Sequence, residues 1–120
     1  MDEIRQVRNW GAHKIIHNAL ERIHQSYTDK SFSLKEVALS VGISPNYFSK
    51  CFREEVGVSF SSYIGRLRMK KAMNLLNDPM FKVYEVAHAS GFSDYAHFAK
   101  VFKKSCEFSP TEYRVNIGII

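Results

Sequence analysis

The sequence repeats itself, and that repeat constrains the fold more than anything else in it. The run Glu36-Val37-Ala38-Leu39-Ser40-Val41-Gly42-Ile43-Ser44 returns as Glu85-Val86-Ala87-His88-Ala89-Ser90-Gly91-Phe92-Ser93, offset by 49 residues. After one inserted residue the copies stay in step, so that Phe48, Phe52 and Tyr63 answer to Phe98, Phe102 and Tyr113. A repeat of this kind means that one supersecondary unit is built twice. With 120 residues to share, the chain has room for one compact domain or for two very small subdomains joined by a linker element.

Each copy reads as a short helix, a turn and a longer helix. In the first, the apolar-periodic stretch from Leu34 to Val41 stops at Gly42, a residue free to take the left-handed conformation of a tight turn. Ser44 then caps a second helix, with Pro45 at the first helical position, where a missing N–H costs nothing. In the second copy Ser93 is expected to cap in the same way, with Asp94 suited to the positive end of the helix dipole. Two helices about a glycine-containing turn make a helix-turn-helix.

The rest of the chain fits around these units. Ile16, Leu20, Ile23 and Tyr27 mark an amphipathic helix from about Trp10 to Tyr27, and Ser33 is placed to cap the next one. A long helix, Ser61 to Leu76, ends at Asn77-Asp78-Pro79, and Ser109-Pro110 opens a last short helix through about Val115. Residues 116–120 form an apolar tail without an assignment. Nothing alternates as a strand would, so an all-α fold of about seven helices is expected. Its division is 9–60 for the first helix-turn-helix subdomain, 61–77 for the linker helix and 78–116 for the second subdomain.

Helix geometry sorts the two longer helices into faces. In the first, Phe48, Cys51, Phe52 and Val56 point inward, leaving Asn46, Ser49, Lys50 and Arg53 outward. In the second, Phe98, Val101 and Phe102 point inward, leaving Tyr95, Ala96, Ala99, Lys100 and Lys103 outward. A recognition helix in the major groove presents such a face to base edges. Asn46 suits adenine and Lys50 guanine, while Ser49 discriminates little. Lys100 is the strong hydrogen-bonding residue of the second helix, with Tyr95, Ala96 and Ala99 suited to thymine methyls. Arg53, Lys103 and Lys104 lie farther along, where phosphate contact is the natural role. Arg66, Lys70 and Lys71 suit phosphates or bare solvation equally.

The doubled pattern, with Tyr47-Phe48 and His97-Phe98 and the ending Phe108-Ser109-Pro110-Thr111-Glu112-Tyr113-Arg114, resembles the DNA-binding domain of the AraC/XylS family of bacterial transcription regulators. The resemblance covers roughly residues 12 to 116. It implies base contacts at Asn46, Ser49, Lys50, Tyr95, Ala96, Ala99 and Lys100, in agreement with the sorting by face. It also implies that Arg68 forms an ion pair inside the domain rather than touching DNA. Two positions depart from the family pattern. Phe60 replaces a frequent proline, as in response regulators that end in such a domain, and Glu107 stands in the slot of Gly57, which puts the end of the second recognition helix in question.

Charge and composition agree with this reading. Seventeen Lys and Arg against 12 Asp and Glu give a formal net charge of +5, which permits a polyanionic partner. The stretch with Arg66, Arg68, Lys70 and Lys71 holds no acidic residue. No apolar run suits a membrane span and no signal peptide opens the chain, so a cytoplasmic protein is expected. Cys51 and Cys106 read as buried free thiols. His13 and His17 stand at i and i+4 without a third ligand, so no metal and no cofactor are expected, and no nucleophile or phosphate-loop motif suggests an enzyme. His97 is expected to be partly buried. The expected partners are double-stranded DNA, bound by a monomer at an asymmetric site, and RNA polymerase. Residues 2–8 fit a natural start or the remnant of a linker; Phe60 favours the second, with a parent protein dimerising through another domain. The rival reading is a helical protein-interaction module without DNA readout, using an apolar patch at Trp10 and Ile117 to Ile120.

Overall fold

A computed structural model describes the backbone of residues 2–119 and the side chains of residues 11–119. Among the described residues there are seven helices and no strand, the all-α fold that the sequence predicts. They are α1 (Asp2–Ser26), α2 (Leu34–Ser40), α3 (Pro45–Val56), α4 (Phe60–Leu76), α5 (Val83–Ala89), α6 (Tyr95–Cys106) and α7 (Pro110–Asn116). The first helix begins well ahead of the expected Trp10, whose side chain lies outside the described residues. The chain forms two compact units. One holds α1, α2, α3 and residues 60–64; the other holds residues 27–30, the remainder of α4, and α5 to α7.

The first unit is built on three facing apolar stripes. Ile16, Ala19 and Ile23 of α1 are buried at helical spacing, as are Val37 and Ala38 of α2 and Phe48, Cys51 and Phe52 of α3. Phe60 packs edge-on against both Phe48 and Phe52, with centroids 5.8 and 5.7 Å away. Tyr63 completes the cluster, its ring 5.6 Å from Phe52.

The second unit repeats the scheme. Met69, Ala72 and Leu76 of α4, Val86 and Ala87 of α5, Phe92 of the turn, and Phe98 and Phe102 of α6 form one buried cluster. Tyr113 meets Phe102 at 5.7 Å and 79°, nearly the geometry of Tyr63 on Phe52 at 5.6 Å and 76°. The residue that answers to buried Ile64 is Arg114, also buried. It is satisfied by donating to the carbonyls of Leu76 at 3.1 Å, Asp78 at 3.0 Å and Phe81. An arginine in an apolar slot is stable only when its donors are paired; the carbonyl of the last α4 residue and two from the loop before α5 supply the acceptors.

Both turns close with the same two bonds. Gly42 N–H donates to Leu39 O and Ile43 N–H to Ala38 O, both at 3.1 Å; Gly91 N–H donates to His88 O at 3.1 Å and Phe92 N–H to Ala87 O at 3.0 Å. These pairs use carbonyls that the end of a helix would otherwise leave open. The apolar tail uses the device a third time: Gly118 N–H reaches Val115 O and Ile119 N–H reaches Arg114 O, ending α7.

Candidate nucleic-acid interface

The two longer helices of the repeat start differently. Ser44 caps α3 by accepting from Tyr47 N–H at 3.2 Å, with Pro45 first in the helix. Ser93 does not cap α6. The cap is Asp94, whose carboxylate accepts from Ala96 N–H at 3.0 Å, and the helix begins at Tyr95. The inserted residue of the second copy therefore lies in the turn, and Asp94 takes the place of Ser44. The carboxylate accepts from the amide two residues on, where Ser44 accepts from the one three residues on, and it adds a negative charge at the positive end of the helix.

The far ends match in conformation. Gly57 closes α3 at φ 90° and Glu107 closes α6 at φ 71°, both left-handed, each N–H donating four residues back. The glutamate does not alter the helix end; it adopts a backbone that disfavours a side chain.

Between these ends each helix turns a polar face outward. Asn46, Ser49, Lys50 and Arg53 are exposed on α3, and Tyr95, Ala96, Lys100, Lys103 and Lys104 on α6. Ala99, grouped with them by the sequence, is half-buried. His97, expected to be partly buried, is exposed, with its ring 6.3 Å from that of Phe92. Its place in the first turn of α6 adds it to the outward residues. The rings beneath, Phe48 on Phe52 and Phe98 on Phe102, each 5.7 Å apart, anchor both faces to rigid packing.

The faces differ electrostatically. Lys50 and Arg53 of α3 are offset by Glu54 and Glu55, whereas α6 carries Lys100, Lys103 and Lys104 and no acidic residue. Glu55 pairs with His13 at 3.3 Å, and His17 with Glu21 at 3.5 Å. Glu112 belongs to the capping box of α7, where Ser109 N–H donates to its carboxylate at 3.3 Å and its own N–H donates to the Ser109 hydroxyl at 3.1 Å. Hydrogen bonding with Ser109 holds its carboxyl below the ordinary value, and the neighbouring Lys103 ammonium acts in the same direction. Cys51 is buried, and Cys106 is half-buried with its thiol 3.3 Å from the Phe102 carbonyl.

Sequence reasoning missed Arg114, although the repeat carries the signal: a cation stands where the first copy has Ile64. The arginine at 68 does lie inside the second unit. Its Nε donates to the Tyr27 carbonyl at 2.8 Å and its Nη2 to the Asp29 carbonyl at 3.3 Å, so that backbone oxygens are its acceptors.

Comparison with known proteins points in one direction. A helix-turn-helix domain family matches residues 37–116. The chain is 38% identical over 100 residues to the uncharacterized HTH-type transcriptional regulator YijO of Escherichia coli K12, covering 80% of the chain and 35% of that protein. It therefore spans about a third of the length of that curated relative. The C-terminal domain of AraT, a response regulator from Geobacillus stearothermophilus, superposes with a TM-score of 0.80 at 30% identity, over 85% of this chain and 84% of that one. The DNA-binding domain of the global transcriptional factor AdpA, solved in complex with a target DNA, shares the fold. Its TM-score is 0.77 at 22% identity, over 84% and 90% of the two chains.

Proposed function

This chain belongs to the AraC-type helix-turn-helix family, the DNA-binding domains of transcriptional regulators, and from that premise we propose how it reads DNA. The recognition helices α3 and α6 enter successive major-groove segments on one face of the duplex, about 34 Å apart, as paired motifs require. Asn46, Ser49 and Lys50 contact base edges in one segment; Tyr95, Ala96, Ala99 and Lys100 do so in the other. Arg53, Lys103 and Lys104 hold phosphates. Because the two sets differ, the site is asymmetric and a monomer binds it. The domain works in the cytoplasm, and RNA polymerase is the second partner of the bound regulator.

The observation that carries this reading is the outward face repeated at matching positions, with Lys50 and Lys100 both exposed above buried phenylalanine pairs. The first face offers hydrogen-bond chemistry that distinguishes bases, and the second is flatter and more basic. Specificity should therefore be sharper under α3, with charge contributing more under α6. The test is gel-shift titration of Lys50→Ala and Lys100→Ala on a site selected from random DNA. Each should lose on the order of 1–3 kcal/mol of binding and relax preference in its own segment. Unchanged affinity and unchanged base preference in both variants would remove the recognition assignment.

A further inference from the structure

Residues 27–30 follow α1 in the chain but pack with the second unit. They are held from two sides. Arg68 of α4 forks its guanidinium over the Tyr27 and Asp29 carbonyls at 2.8 and 3.3 Å. Gly91, in the turn between α5 and α6, lies so close to the same segment that a Cβ there would stand 2.7 Å from the Tyr27 carbonyl oxygen. That Cβ would also meet Arg68 Nε at 2.8 Å and Thr28 Cα at 3.1 Å. The segment, the guanidinium and the turn of the second motif thus meet at one point, which only a residue without a Cβ can occupy. Partial burial lowers the Arg68 pKa, opposed by the Asp29 charge, so the head group has exchanged part of its hydration for these carbonyls.

That turn sets the direction in which α6 leaves α5. From these contacts we infer that Arg68 is a positioning residue for DNA reading: it holds residues 27–29 against Gly91 and so fixes the aim of α6. The inference rests on the base-reading role proposed for α6. Base-edge hydrogen bonds have narrow geometry and suffer from a small tilt of the helix, whereas flexible lysines on phosphate tolerate it. The arginine itself touches no DNA in this account.

The experiment uses the full chain with Arg68→Ala and Arg68→Lys, titrated on the selected site and on single-base variants across both segments, at several salt concentrations. Thermal melting by circular dichroism checks that each variant is folded. Arg68→Ala should lose about fivefold or more of its base discrimination under α6 and keep it under α3. The slope of log affinity against log salt should not change. Arg68→Lys should restore part of the loss, since an ammonium can meet one carbonyl but cannot fork over two. A salt slope shallower by about 1 with base preference intact would instead make Arg68 a phosphate contact and overturn the inference. Equal loss under both helices, or no loss, would also overturn it. Should the alanine variant not fold, Arg68→Lys carries the same comparison, with a smaller loss confined to α6. Lys100→Ala, run alongside, isolates the underlying reading: full discrimination under α6 in that variant defeats base contact by Lys100, whatever Arg68 does.

Discussion

Glu107 and Ser90 are single residues whose surroundings work against them, and both make sharp tests of the described geometry. Glu107 holds φ 71° where the first copy has glycine at φ 90°. A left-handed backbone costs a residue with a Cβ roughly 1–2 kcal/mol, partly offset by the extra chain entropy glycine loses on folding. Glu107→Gly should therefore stabilise the protein by about 0.5–1 kcal/mol in urea unfolding, with base preference retained. Ser90 is fully buried, its hydroxyl finds no partner, and the corresponding residue of the first copy is Val41. Ser90→Ala should raise stability by about 1 kcal/mol, because removing an unsatisfied buried hydroxyl removes its desolvation cost; a loss of stability would mean that the hydroxyl is satisfied in solution. At this scale the outward faces were legible in the sequence, because helical periodicity alone separates Lys50 and Lys100 from Phe48 and Phe98. The status of His97 was not. Its exposure depends on how the α5–α6 turn packs around Phe92, which periodicity does not encode.

Among the elements, the repeat predicted helix, turn and helix twice over, and both turns close with the same bonds. The start of α6 was not legible, because Ser93 and Asp94 are both competent caps and only the longer turn decides between them. Ser33, Ser44 and Ser109, by contrast, faced no competitor and cap where the sequence places them. The capping box of α7 makes stability depend on pH through Glu112. Glu112 has a folded pKa below its unfolded one, so its contribution is fully present above the unfolded value and is lost as pH falls through the folded value. Denaturant midpoints of the wild type and Glu112→Gln should differ near neutrality and converge in acid. A constant gap at every pH would mean that the carboxylate charge plays no part in the cap.

For the whole molecule, the repeat implies two related units; the chain forms two compact units whose limits cut through α4 and take in residues 27–30 with the second. The passage of residues 27–30 into the second unit was invisible, because it depends on Arg68 and Gly91, distant in sequence. Since the proposed contacts to phosphate are made by lysine and arginine, affinity should fall linearly on a log–log plot as salt rises, through released counterions. Replacing both Lys103 and Lys104 with alanine should flatten that slope with little effect on which bases are preferred. The most direct test of the central claim is the DNA site selected from a random library by the wild type, by Lys50→Ala and by Lys100→Ala. Two unlike segments about 10–10.5 base pairs apart, each losing information in only one variant, is the predicted result. A single segment, a palindrome, or both variants degrading the same bases would contradict it.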